Sequence, residues 1–168
     1  RKDLLYCGDP LGIERRSCRT ALDILFNHLS SWIAPILCFS AEEAWQTYVN
    51  NKEDSIHLKT IPESNQDWVN EELSNKWKRI RYIRSLVLLE IEEARNNNVI
   101  KSSLQAVPQI SMTATDKNLF DGVNAADLFI TSDVRIIVND VDAPSVEIHI
   151  AEGNKCERCW KILPEVKE

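Results

Sequence analysis

The chain has 168 residues, 43% hydrophobic and 27% charged, the size and composition of one ordinary soluble domain or one domain with a small satellite. Its longest apolar runs, such as "WIAPILCF", are far too short to span a bilayer, and "RKDLLYCGDP" turns polar too soon for a secretory leader. The net charge of −6 argues against a polyanion partner only until its distribution is seen. Residues 113–153 run from Asp116 to Glu152 with only Lys117 and Arg135 against their acids, and account for the whole excess.

In chain order, Cys18, Leu22, Leu25, Leu29 and Trp32 step by four and three, which predicts an amphipathic helix over 14–32. Pro35 should end or kink it. Ser40 with Glu43 three residues on reads as a capping box for a second helix reaching Val49, and "SIHLKTIP" as a short extended piece. A long helix is expected over 68–96, its seam formed by Leu73, Trp77, Ile80, Val87, Ile91 and Ala94 and packed against Leu22, Leu25 and Leu29. After "IKSSLQAVP" the texture changes. "QISMTA" and "LFITSDVRIIV" read as strands around a short helix in "KNLFDGV", and "SVEIHIA" alternates as a third strand.

The basic residues cluster on the helices. Arg15, Arg16 and Arg19 lie on the first, with Asp23 spaced to pair Arg19 at i+4. "KWKRIRYIR" on the long helix holds no acid, and Lys78, Arg81 and Arg84 form a drifting stripe, Arg84 closest to the seam. A solvated helix face is the ordinary meaning of such runs. Interleaved with Trp and Tyr, they also suit an RNA backbone with splayed, stacked bases.

Cys156 and Cys159 in "KCERCWK" have the spacing of half a tetrahedral zinc site. Cys18 and Cys38 read as packing residues, Cys7 stands beside the helical half, and His149 is an unusual candidate ligand. An odd cysteine count without a framework predicts reduced thiols and a cytoplasmic protein. A second C-x2-C pair would fall beyond Glu168, so the chain is expected to be a fragment. Its tail from Gly153 is then expected to be poorly ordered or held only by packing of Trp160. Catalytic signals are missing: the four glycines form no phosphate loop, and the histidines stand apart, with His28 and His57 read as structural. Glu42 and Glu43 read as helix N-terminal charges rather than an acid–base couple.

Taken in order, "RKDLLYC", "RRSCRTALDILFNHLSSWIAPILCFSAEEAW", "SIHLKTIP", "IKSSLQA", "ADLFITS" and "KCERCW" resemble the C-terminal part of bacterial isoleucyl-tRNA synthetases over almost the whole chain. The opening "RKDLLYC" and terminal "CERCW" are the most diagnostic; the family commonly has glycine where Lys101 stands. The resemblance implies a mainly α fold: a helical bundle of the class I synthetase anticodon-binding type over 1–105, a small α/β junction module over 106–152, and the first half of a zinc-binding motif over 153–168. It implies recognition of the anticodon stem-loop of isoleucine tRNA, with Arg15, Arg16, Arg19, Lys78, Arg81 and Arg84 on the backbone and Cys156 and Cys159 as metal ligands. The parent would be a monomeric ATP-dependent isoleucine–tRNA ligase, its ATP and Mg bound on a catalytic domain absent here. The rival readings are a valyl- or leucyl-type anticodon domain, which does not usually end in "CERCW", and a non-enzymatic helical interaction module with a metal-stapled tail.

Overall fold

The computed structural model describes residues 2–166, and the chain divides into two compact units, 1–69 and 70–168. Within the first unit, α1 (Lys2–Cys7), α2 (Ile13–Ile33) and α3 (Cys38–Val49) follow one another. As Pro35 requires, α2 stops at Ile33, and a tight turn returns the N–H groups of Ile36 and Leu37 to the Ile33 carbonyl at 2.9 and 2.8 Å. That turn runs straight into α3. The helix therefore starts at Cys38 with no side-chain cap, and Ser40 sits inside it instead of capping it as the sequence predicts. Asn50 ends α3 in the left-handed region.

A small core of Ala34, Ala41, Trp45 and Ile56, flanked by Phe26 and Val49, joins α2, α3 and the turn after them. That turn, Ile56–Leu58, is a 3-10 helix rather than the extended piece expected. Glu42 explains it. Its carboxylate accepts from Ser55 Oγ at 2.9 Å, from the Ile56 N–H at 3.0 Å and from Gln46 Nε2 at 2.7 Å, clipping the turn to α3.

The second unit begins with α4 (Glu71–Asn96), capped by the Asn70 side chain on the Leu73 N–H at 2.8 Å and acidic in its first turn. The expected start at Trp68 falls instead in a short 3-10 turn, Gln66–Trp68. Strand β1 (Ala106–Met112) is central in a three-stranded sheet of order β2-β1-β3, parallel to β2 (Arg135–Val138) and antiparallel to β3 (Ser145–Ile150). Pro108 is tolerated in β1 because the β2 ladder begins one residue later, at Gln109. Two five-residue helices, α5 (Ala114–Asn118) and α6 (Ala125–Phe129), connect β1 to β2. The segment read as one long strand from Leu128 thus opens as helix. Asn124 caps α6 through the Asp127 N–H, and Ile130, at φ 60°, ends it before β2.

The seam of α4 is buried at Ile80, Ile83, Val87, Ile91 and Ala94, spaced by three and four. It joins Ala106, Ile110 and Met112 of β1, Phe120 and Phe129, with Val146 and Ile148 of β3 packed against them. Within its own unit the seam thus packs helix on sheet, and Leu22, Leu25 and Leu29 of α2 are about half exposed (47%, 53% and 50%). Lys101 fits its turn without glycine. Its backbone is not left-handed, and its N–H donates to Gln105 Oε1 at 2.7 Å. Among the described residues, no helix is long and apolar enough to cross a membrane.

Candidate nucleic-acid interface

Arg16, Arg19, Asp23 and Phe26 are spaced by three, four and three on α2 and so share one face. With Leu22 and Tyr48 of α3 they line an open cleft of about 600 Å³. The predicted Arg19–Asp23 pair does not form. Asp23 Oδ1 instead accepts a hydrogen bond from the Tyr48 hydroxyl, which raises the phenol's pKa above its ordinary value, and no carboxylate pairs with Arg16 or Arg19 among the described residues. Phe26 lies 4.6 Å from the Tyr48 ring and stacks on Trp45. Arg15 is engaged within the fold. Its guanidinium donates to the Gly8 carbonyl at 3.0 Å and holds the α1–α2 turn.

On α4 the basic run separates into two groups. Arg79 forms a fork on Asp116, Nε to Oδ1 at 2.8 Å and a terminal nitrogen to Oδ2 at 2.7 Å, and lies over the Tyr82 ring. Arg84, half-buried, donates to the Leu128 carbonyl at 3.0 Å, and Lys76 reaches the Asp121 carbonyl at 3.2 Å. These three tie α4 to α5, to α6 and to the loop between them. Lys78 touches only Asn75 of its own helix, at 3.3 Å, and Arg81 is exposed without a side-chain bond among the described residues. Of the six cations singled out in the sequence, those not engaged with another element are therefore Arg16 and Arg19 on α2 and Lys78 and Arg81 on α4.

The tail forms a two-stranded hairpin, β4 (Asn154–Lys155) against β5 (Ile162–Leu163), with the cysteines in its turn. The Cys156 N–H reaches the Lys161 carbonyl at 2.8 Å, and the Trp160 N–H returns to the Cys156 carbonyl at 2.8 Å. Gly153, at φ 117°, is required there, since a Cβ would meet the Leu163 carbonyl at 2.4 Å. The hairpin is fastened to the sheet unit by Lys161 on Asp127 at 2.6 Å and by the Ile162 N–H on Ser132 Oγ at 2.7 Å. It is thus held by more than packing of Trp160, contrary to the expectation for a tail with half a metal site. The N–H groups of Cys159 and Arg158, the Cys159 thiol and the Trp160 N–H outweigh burial and lower the pKa of the Cys156 thiol, as suits a thiolate ligand.

Zinc takes four such ligands, and among the described residues no group of three or more His, Cys, Asp or Glu is placed to hold a metal. The two thiols alone do not fit a closed zinc site. Cys18 is half-buried as a packing residue should be, whereas Cys38 is exposed. The Cys7 side chain lies outside the described residues. Of the two histidines read as structural, His57 Nε2 contacts the Cys38 carbonyl at 3.2 Å and His28 Nδ1 contacts the Ile24 carbonyl at 2.8 Å. The sequence names Asp23 beside Arg19 but not Phe26 and Tyr48, which line the same cleft; the three-four spacing on α2 was the available signal for Phe26, and none pointed to Tyr48 on α3.

A cleft lined by two arginines and two aromatic rings, in a chain whose long helix carries Lys78 and Arg81 unengaged with other elements among the described residues, suits an RNA-binding module. The family profile described as the anticodon-binding domain of tRNA ligase matches residues 1–110, and the chain belongs to this family. Over its whole length it is similar to the isoleucine–tRNA ligase of Gluconobacter oxydans (strain 621H), 41% identical over 170 residues covering 100% of this chain. It is 38% identical to that of Zymomonas mobilis subsp. mobilis, again over 100% of the chain, and 35% identical to that of Caulobacter vibrioides over 99%. The chain spans 18% of the length of each of these curated relatives.

Proposed function

We propose that the chain is the region of an isoleucine–tRNA ligase that recognises the anticodon stem-loop of isoleucine tRNA. Similarity to isoleucine–tRNA ligases along the entire chain, rather than over a shared helical segment alone, carries this reading and weighs against a valyl- or leucyl-type domain. The parent joins isoleucine to its tRNA using ATP, in the cytoplasm and as a monomer, with ATP and Mg bound on residues outside this chain. The division into a helical anticodon-binding part of class I type (1–105), a junction module (106–152) and a zinc-binding tail (153–168) is a division of roles within that function.

In this function Arg16, Arg19, Lys78 and Arg81 contact phosphates directly. Arg15 and Arg84, each engaged with a backbone carbonyl, hold the elements that present them. Cys156 and Cys159 are two of four zinc ligands, and the metal would pin the hairpin turn when two further ligands join. Binding energy gathered at the anticodon aligns the tRNA end for transfer and so raises the rate far from the contact.

The test is Lys78→Glu with Arg81→Glu in the full ligase, assayed for ATP–pyrophosphate exchange beside tRNA charging. The kcat/KM for tRNA should fall by the equivalent of roughly 1–3 kcal/mol while exchange, which needs no anticodon, is unchanged. Equal losses in both assays would indicate a folding defect. No loss in either would return this helix face to an ordinary solvated surface.

A further inference from the structure

The turn of the β4–β5 hairpin presents two thiols to each other and to solvent. Cys156 and Cys159 are both free and half-buried. The Trp160 N–H donates to the Cys156 carbonyl at 2.8 Å, which closes a single turn of helical type and brings residues three apart onto one side of it. Within that turn the Cys159 thiol and the N–H groups of Arg158 and Cys159 lie within hydrogen-bonding reach of the Cys156 sulfur. A disulfide needs Cα atoms roughly 4.4–6.8 Å apart, a separation that one such turn supplies. The turn is also held before any bond forms. Lys161 is fixed on Asp127 at 2.6 Å, the Ile162 N–H on Ser132 Oγ at 2.7 Å, and Asn154 Nδ2 donates to the Val166 carbonyl at 3.2 Å. Closing a bond inside a prebuilt turn costs little further chain entropy. Cys38, exposed at the start of α3, instead directs its thiol to the Pro35 carbonyl at 3.8 Å.

We propose that Cys156 and Cys159 are a reversible dithiol–disulfide couple, closed by a hydroperoxide and reopened by a dithiol reductant. The inference does not depend on RNA binding. Cys156, toward which the donors of the turn converge, is the attacking sulfur. On hydrogen peroxide the O–O bond breaks, an S–O bond forms on Cys156, and the thiol proton leaves with the departing oxygen as water. Cys159 then attacks the Cys156 sulfur. The S–O bond breaks, the S–S bond forms, and the Cys159 proton leaves with the hydroxyl as a second water. The two sulfurs give up two electrons and the peroxide takes them. Reduction runs by thiol–disulfide exchange, which transfers two electrons and two protons from the reductant to the cysteines. A disulfide offers no thiolate to a metal, so the oxidised turn and a zinc-ligating turn exclude one another.

The experiment oxidises the reduced chain with a small excess of hydrogen peroxide in the presence of a chelator, and follows each thiol over time by alkylation and peptide mass. The chymotryptic peptide carrying both cysteines should become lighter by two hydrogens, losing both thiols together before Cys38 is modified, and dithiothreitol should restore it fully. Cys159→Ser should stop the reaction at a Cys156 sulfenic acid, trapped by dimedone, whereas Cys38→Ser should leave closure of the pair unchanged. Should Cys159→Ser fail to fold, the wild-type map alone decides. Prior oxidation of Cys38, bridges between chains in place of the internal one, or passage of both thiols straight to sulfinic acids would overturn the proposal. Closure at the same rate in the urea-unfolded chain would overturn it too, since a prebuilt turn should close faster.

Discussion

Arg79 and Asp116 bring together an α4 cation and an acid of the negative segment, two residues 37 apart in the chain. Asp116 is 7% exposed at its side chain and Arg79 42%, so water screens only one end of the pair. Hydrogen bonding from Arg79 is the largest influence on the Asp116 carboxyl and, with the Arg79 charge and Thr113, outweighs burial to lower its pKa. A depressed carboxyl contributes stability that is present above the ordinary unfolded pKa of about 3.9 and is lost as pH falls through the lower folded value. Arg79→Ala should cost about 1.5–3 kcal/mol at neutral pH by urea denaturation, because it strands a buried carboxylate. The gap between variant and wild type should narrow below about pH 4. A gap that stays constant on acidification would show that packing of Arg79 on Tyr82, rather than the ion pair, sets the loss.

Glu42 acts in the same way for its turn. Burial raises its pKa, but the bonds from Ser55, Ile56 and Gln46 and the nearby His57 lower it further than burial raises it. Glu42→Gln should speed hydrogen exchange at the Ile56 amide and leave exchange along α4 unaltered.

Among the elements, α4 shows what periodicity can and cannot convey. Its apolar spacing identified the buried face from Ile80 to Ala94 but not what covers it, because a seam of Ile and Val suits a helix or a sheet equally. The outcome reassigns the stability cost. Ile83→Ala, at a fully buried position, should lose about 2–5 kcal/mol. Leu25→Ala, at a position 53% exposed, should shift the denaturation midpoint far less; a reversed order would contradict the helix-on-sheet core.

Short elements were the least legible. The Ile56–Leu58 turn depends on Glu42, 14 residues away, and the α3 start depends on the turn after Pro35 rather than on Ser40. The helix α6 was hidden in a β-favouring run because a single cap, Asn124, decides it. The arginines of the cleft were visible in sequence, but Tyr48 was not, since it meets Asp23 across 25 residues. The hairpin at Gly153 was likewise invisible in composition, because it rests on Lys161 and Ser132 contacts made in space.

For the molecule as a whole, an acidic total of −6 and an RNA-binding role are compatible because the acids concentrate in 113–153 while the unengaged cations lie on α2 and α4. Metal affinity follows from ligand count. With Cys156 and Cys159 alone the chain should lose added zinc to a mild chelator, and stoichiometric retention would reveal two ligands outside the described residues.

Under the proposed function, Arg16, Arg19, Lys78 and Arg81 bind tRNA through its phosphates. The most direct test is the affinity of the chain for isoleucine tRNA measured across a salt series, with and without Lys78→Glu and Arg81→Glu. The logarithm of the association constant should fall linearly with the logarithm of salt concentration, by about 0.7–0.9 per phosphate neutralised. The double variant should bind more weakly with a slope shallower by about two. Salt-independent binding, or a variant that matches the wild type in both affinity and slope, would contradict phosphate recognition by these residues.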